Sequence, residues 1–262
     1  MSKVRAKLPH DSIRGKYAHV SSVWLTVGVF FGSQILGSLT FGLLILALPA
    51  YRGLSGAEIQ DLFAYNPWLY LTLLLCILGV FFVLLQYAMR YMKLGARDIG
   101  IGRFKPNYVA YAFAGYVAVL VMNVMLFTLL RAIFSEVDFD QEQVLAVGKD
   151  VAGSGLIPVF VSLVIIPPIM EELLMRGFLF SGLRRRLSFL PSAIVVSVLF
   201  GLAHMSQAEN GVFISGVIGF SVLSLMLCWL RERTGSLWPS IGVHMLQNGF
   251  AFYFIYIAKD IV

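Results

Sequence analysis

Charged residues are scarce in this chain: Asp, Glu, Lys and Arg make up 13% of 262 residues, where a soluble domain carries about 25%. A water-facing surface of ordinary size cannot be built from so few. Cysteine is scarcer still. Cys76 and Cys228 are the only two, both inside apolar runs, and this excludes a disulfide framework. The apolar runs contain no Asp, so an aspartyl dyad is excluded. None of the four histidines is followed by Glu, so the His-Glu-x-x-His zinc motif is missing as well.

What replaces charge is hydrocarbon. The chain is 59% hydrophobic with a mean hydropathy of +0.83, and runs long enough for a hydrocarbon layer of about 30 Å recur along nearly all of it. Seven spans are predicted, at approximately 20–48, 68–89, 108–130, 156–183, 187–204, 212–230 and 237–257. The expected fold is all-α, a polytopic transmembrane bundle of seven to eight helices. It forms one domain over 20–262, preceded by a basic tail at 1–19. The first span far exceeds the roughly 7–15 residues of a signal-peptide core and reads as a retained anchor. Pro167-Pro168 removes two backbone donors from the fourth run, which predicts an interrupted helix that restarts near Ile169.

The formal charge of +6 and sequence pI of about 9.4 raise the question of a nucleic-acid partner, but the basic residues follow membrane topology instead. Fifteen of them fall on one side of the predicted spans, in the tail, the second-to-third loop, Arg184–Arg186, and Arg231 with Arg233. Four fall on the other, where the acids Glu136, Asp138, Asp140 and Glu142 collect. The positive-inside rule then puts the N-terminus in the cytoplasm. The expected partners are the lipid bilayer and a membrane-associated substrate, with no nucleic acid.

One basic residue is left over. Arg176 lies inside the fourth span with Glu171 and Glu172, and ionisable groups at membrane depth are functional by default. Glu172 and Arg176 are four apart and share a helix face, so they are expected to pair. Glu171 lies about 100° around the helix and is left for other work. His204 closes the run Phe200-Gly-Leu-Ala-His204, and His244 stands four residues before Asn248. At 1.5 Å per residue, Glu171, His204 and His244 lie about 20, 27 and 17 Å from the basic ends of their helices. Those heights are broadly similar. A carboxylate, two imidazoles and a carboxamide permit water activation with oxyanion stabilisation. A His₂Glu zinc site from Glu171, His204 and His244 is also geometrically conceivable. Glu171 and His204 as a proton relay in a transporter is a further reading, although repeated halves are not visible.

At these positions the sequence resembles the CAAX prenyl protease and bacteriocin-processing (CPBP, Abi) family, marked by Glu-Glu-x-x-x-Arg, Phe-x-x-x-His and His-x-x-x-Asn on successive membrane helices. All three motifs stand here in order, as Glu171-Glu172…Arg176, Phe200…His204 and His244…Asn248, within 156–257. The resemblance implies a glutamate-dependent intramembrane endopeptidase that uses no metal or other cofactor. It would act near the C-terminus of a prenylated CAAX-type protein or another membrane-associated peptide. It further implies that Glu171 and His204 activate the water, that His244 and Asn248 form the oxyanion hole, and that Glu172, Arg176 and Phe200 support them. Some members are immunity or scaffold proteins, so a non-catalytic membrane partner is the alternative the resemblance carries.

Overall fold

The computed structural model describes residues 18–134, 147–204 and 213–258. Residues 1–17 of the tail and the acidic cluster at 136–142 lie outside the described residues. Eight helices carry nearly all of the described chain: α1 (Ala18–Ala47), α2 (Gly56–Tyr65), α3 (Pro67–Tyr91), α4 (Asn107–Ile133), α5 (residues 156–183), α6 (Phe189–Ala203), α7 (Phe213–Thr234) and α8 (Trp238–Phe252, prolonged by a π turn at Tyr253–Ile257). No strand occurs among the described residues. Each of the seven predicted spans falls on one helix, and α2 is an addition between the first two.

Four helices, α1, α3, α4 and α5, are long and apolar enough to cross a bilayer. Their outward faces are apolar too: Trp24, Leu43, Val83, Val124 and Met125 are each about two-thirds exposed or more. Such a surface has no place in water, and the chain is an integral membrane protein. Hydroxyls on these helices turn inward on their own backbone. Ser33 Oγ donates to Phe30 O at 2.9 Å, Thr40 Oγ1 to Leu36 O at 2.8 Å and Thr72 Oγ1 to Trp68 O at 2.8 Å, so these three donors are satisfied without water. The short helix α2 is built for the water boundary. Ser55 Oγ accepts from Glu58 N while Glu58 Oε2 accepts from Ser55 N at 2.7 Å, a reciprocal capping box.

The chain groups into two compact units, the divisions falling at Glu171/Glu172 in α5 and at His244/Met245 in α8. One unit holds 24–91, 145–171 and 245–262. There α1 and α3 approach closely at Gly37, where a Cβ would come within 2.5 Å of Ile77 Cα; small residues at helix contacts of this kind are the usual means of packing in membranes. The other unit holds 1–23, 92–144 and 172–244. Its core is Val119, Leu179, Phe180, Val196, Phe200, Leu227 and Val243. Within it α6 packs along α7, with Gly201 so close that a Cβ would meet Val217 O at 2.7 Å.

Loop 92–106 belongs to this second unit and is bolted beneath it by polar groups. Arg231 Nη2 donates to Asp98 O at 2.9 Å, Ser181 Oγ to the same carbonyl at 3.2 Å, and Arg185 Nη1 to Met92 O at 3.3 Å. Trp238 Nε1 donates to Gly102 O at 2.8 Å. Arg184 makes two bonds to the Glu232 carboxylate, at 2.9 and 3.1 Å. Burial holds the Arg185 guanidinium below its ordinary value, with Asp98 opposing the shift. Arg231, read from the sequence only as a topology-setting charge, is 1% exposed.

Helix α5 corrects one expectation. Pro167-Pro168 does not interrupt it: the segment Gly153–Leu183 is a single helix. A π-helical stretch covers Val161–Ile165 immediately before the prolines, and a second π stretch covers Leu173–Leu179. Widening the turn relieves the clash of a proline ring with the preceding carbonyls, and π-bulges are the common alternative to a break.

Candidate active site

Helix α5 delivers Glu172 at the end of its α-helical stretch Ile166–Glu172 and Arg176 within the π stretch that follows. The two pair as their spacing predicts, Arg176 Nη1 to Glu172 Oε1 at 2.9 Å, and both side chains are fully buried. Helix α8 adds a third member: His244 Nδ1 lies 3.0 Å from the same carboxylate oxygen. One glutamate thus receives a guanidinium and an imidazole. Phe200 of α6 floors the group, with the Arg176 guanidinium 4.3 Å above its ring centroid and the His244 ring edge-on at 5.8 Å. A cation over an aromatic face is stabilised by the ring quadrupole, the more so away from water.

His204 caps α6 at its C-terminal end, and Phe200, one turn earlier, controls it twice. The His204 Nδ1–H donates to Phe200 O at 2.8 Å, because a backbone carbonyl only accepts. In the neutral ring this leaves Nε2 as the lone-pair nitrogen. The ring is also held between aromatics, 4.5 Å from Phe200 and stacked on Phe220 at 4.3 Å. Phe220 was not singled out from the sequence. An apolar residue in an apolar helix carries no signal, and only the α6–α7 packing reveals it.

The same logic applied to His244 has a chemical consequence. Its Nδ1–H donates to Glu172, so an Nε2–H is present only when the ring is the imidazolium. Any role for His244 as a second hydrogen-bond donor requires that charged form, with Glu172 as its counter-ion. Among the described residues, Glu172 Oε2 and Arg176 Nε and Nη2 have no hydrogen-bond partner. No group of three or more His, Cys, Asp or Glu side chains placed to hold a metal occurs among the described residues.

Glu171 and Asn248 fall in the other unit. Glu171 is half-buried on the last turn before the division. Asn248 lies one turn beyond His244 on α8 and is also half-buried. Its Nδ2 donates to Leu163 O at 2.9 Å. The sequence-predicted residues are therefore gathered as one cluster of Glu172, Arg176, Phe200, His204 and His244, while Glu171 and Asn248 are described within their own unit.

Comparison with known proteins adds to this geometry. Residues 153–250 match the family model for type II CAAX prenyl endopeptidase Rce1-like proteins. The chain is 22% identical over 212 residues to the "Putative membrane peptidase YdiL" of Bacillus subtilis (strain 168), covering 79% of this chain and 80% of that one. It is 28% identical over 160 residues to the "Membrane-embedded CAAX protease MroQ" of Staphylococcus aureus (strain USA300), covering 57% of this chain and 59% of that protein. No solved structure matches at comparable significance. The resemblance carried by the three motifs is borne out, and the matched region contains all seven motif residues.

Proposed function

We propose that this protein is an intramembrane endopeptidase that hydrolyses a peptide bond near the C-terminus of a membrane-associated substrate, prenylated CAAX-type proteins being the leading class. The observation that carries the reading is the double engagement of Glu172. With Arg176 and His244 on one of its oxygens, Glu172 is committed to holding the site together. Glu171, the neighbouring carboxylate, is then the general base.

In this reading Glu171 takes a proton from a water whose oxygen attacks the scissile carbonyl carbon. The carbonyl oxygen becomes an oxyanion and accepts from Asn248 Nδ2 and from His244 Nε2 in its imidazolium form. His204, whose tautomer leaves Nε2 to accept, receives that proton from Glu171 and passes it to the departing nitrogen as the C–N bond breaks. The products are a carboxylate and an amine, with no covalent intermediate on the enzyme. Positioned acid–base groups contribute about 10²–10⁴ in rate and an oxyanion donor about 10²–10³. The basic loops lie on the cytoplasmic side, with the N-terminus there as well.

The purified protein and Glu171→Ala should be assayed on prenylated and unprenylated peptides. Cleavage by the wild type and loss in the variant is the expected result; equal cleavage by both, or none by either over a broad panel, overturns the proposal. A chelator in the same assay tests metal dependence. Inhibition reversed by zinc would replace the water-activating role of Glu171 with a His₂Glu site.

A further inference from the structure

Leu163 is placed where its carbonyl has no backbone donor to meet. In a helix that oxygen accepts from the N–H three, four or five residues on. Three on, Ile166 donates instead to Val161 O. Four on is Pro167 and five on is Pro168, and neither has an N–H. A bare carbonyl inside an apolar helix is costly, because lipid offers nothing to replace the lost bond. The group that does meet it is the side chain of Asn248, at 2.9 Å.

We propose that Pro167 and Pro168 are positioning residues for Asn248, acting through the Leu163 carbonyl. The pair deletes both competing donors, so this oxygen is kept open for one side chain. A carbonyl accepts only, so the amide must turn its nitrogen toward it. That fixes the plane of the carboxamide, and with it the direction of the second N–H on Nδ2. The prolines thus set the aim of a hydrogen-bond donor carried by another helix, which accounts for two helix-breaking residues within a helix that does not break. Without the anchor the amide of Asn248 rotates or flips, and its remaining donor is lost as a fixed group. The catalytic part of this inference rests on the proteolytic reading above; the anchoring itself does not.

The test is a double-mutant cycle on the full-length chain in detergent, using P167A/P168A, N248A and the triple variant. Two readouts are taken: the melting temperature, and kcat with KM on a peptide the wild type cleaves. Restored N–H groups at 167 and 168 compete for Leu163 O, while alanine suits the helix better than proline. P167A/P168A is therefore expected to keep or raise the melting temperature and to lose kcat by about tenfold or more, as small displacements of catalytic groups do, with KM little changed. N248A is expected to lower the melting temperature of the wild type and to lower that of the proline-free protein by less than half as much. The losses in kcat should not multiply in the triple variant. Equal thermal losses from N248A in both backgrounds would overturn the anchor. Wild-type kcat in P167A/P168A, losses that multiply, or a fall in kcat that tracks a fall in melting temperature would overturn the positioning role. If the wild type cleaves no peptide, the proteolytic reading fails by itself, and the thermal cycle alone decides whether prolines and asparagine act through one carbonyl.

Discussion

His244 and Glu172, 72 residues apart in the chain, meet through a hydrogen bond of 3.0 Å from Nδ1 to Oε1. The same oxygen takes Arg176 Nη1 at 2.9 Å. In the proposed mechanism, a buried carboxylate held from two sides is the supporting group, and Glu171 is the base.

Removing one partner of this group should be far costlier than removing two. Glu172→Ala leaves the Arg176 guanidinium buried without its counter-charge, and a loss of about 3–5 kcal/mol is expected. Glu172→Leu combined with Arg176→Met retains volume and buries no charge, so it should cost much less. Thermal unfolding in detergent measures both. Equal losses would mean that an unpaired buried charge is not what makes the single substitution costly.

The two glutamates should separate in one experiment. Glu171→Gln is expected to reduce kcat by about 10²–10⁴ with little change in melting temperature, whereas Glu172→Gln should lower both. The reverse pattern would exchange their roles.

Phe220 offers a quieter test of how His204 is held. Phe220→Ala removes the ring stacked 4.3 Å from the imidazole, leaving Phe200 as the restraint on one side. A fall in kcat of about tenfold is expected from the looser ring, with Phe220→Tyr close to wild type. Unaltered kcat in the alanine variant would show that the hydrogen bond to Phe200 O suffices.

At the basic end of the bundle, Gly100 has φ +88 and a Cβ there would meet the Arg231 guanidinium at 2.7 Å. That guanidinium is tied to Asp98 O and Ser181 Oγ, so it cannot swing aside. Gly100→Ala should cost about 1–3 kcal/mol. Gly102→Ala, with nothing within 4 Å of its Cβ position, is the control and should melt like wild type.

The helices were legible because apolar length is a one-dimensional property: a run such as 68–89 reads as a membrane helix wherever it packs. The Glu172–Arg176 pair was legible for the same reason, since i,i+4 geometry is local. The course of α5 was not. The missing N–H groups of Pro167 and Pro168 are readable in the residues, but the π stretch before them and the Asn248 side chain that meets Leu163 O belong to the fold. The burial of Arg231 was hidden in a related way. Its charge counts toward the positive-inside reading whether it points to water or is buried under loop 92–106, and only the fold distinguishes these. The partner of His244 was likewise hidden. The i,i+4 spacing of His244 and Asn248 is local, whereas the imidazole's contact with Glu172 joins residues 72 apart in the chain.

Helix α6 has 15 residues, about 22 Å at 1.5 Å per residue, against roughly 30 Å of hydrocarbon. It ends at Ala203, with His204 as its cap. A membrane element this short forces the lipid beside it to compress, at fractions of a kcal/mol per ångström. On the proteolytic reading, a bilayer thinned beside α6 brings the histidine end nearer the aqueous boundary and leaves the reacting water less hydrocarbon to cross. Hydrolysis should then depend on the acyl-chain length of the surrounding lipid, slowing as the bilayer thickens. Rates in vesicles of graded chain length would register that dependence, and a flat profile would mean that water reaches the amide by a route the lipid does not control.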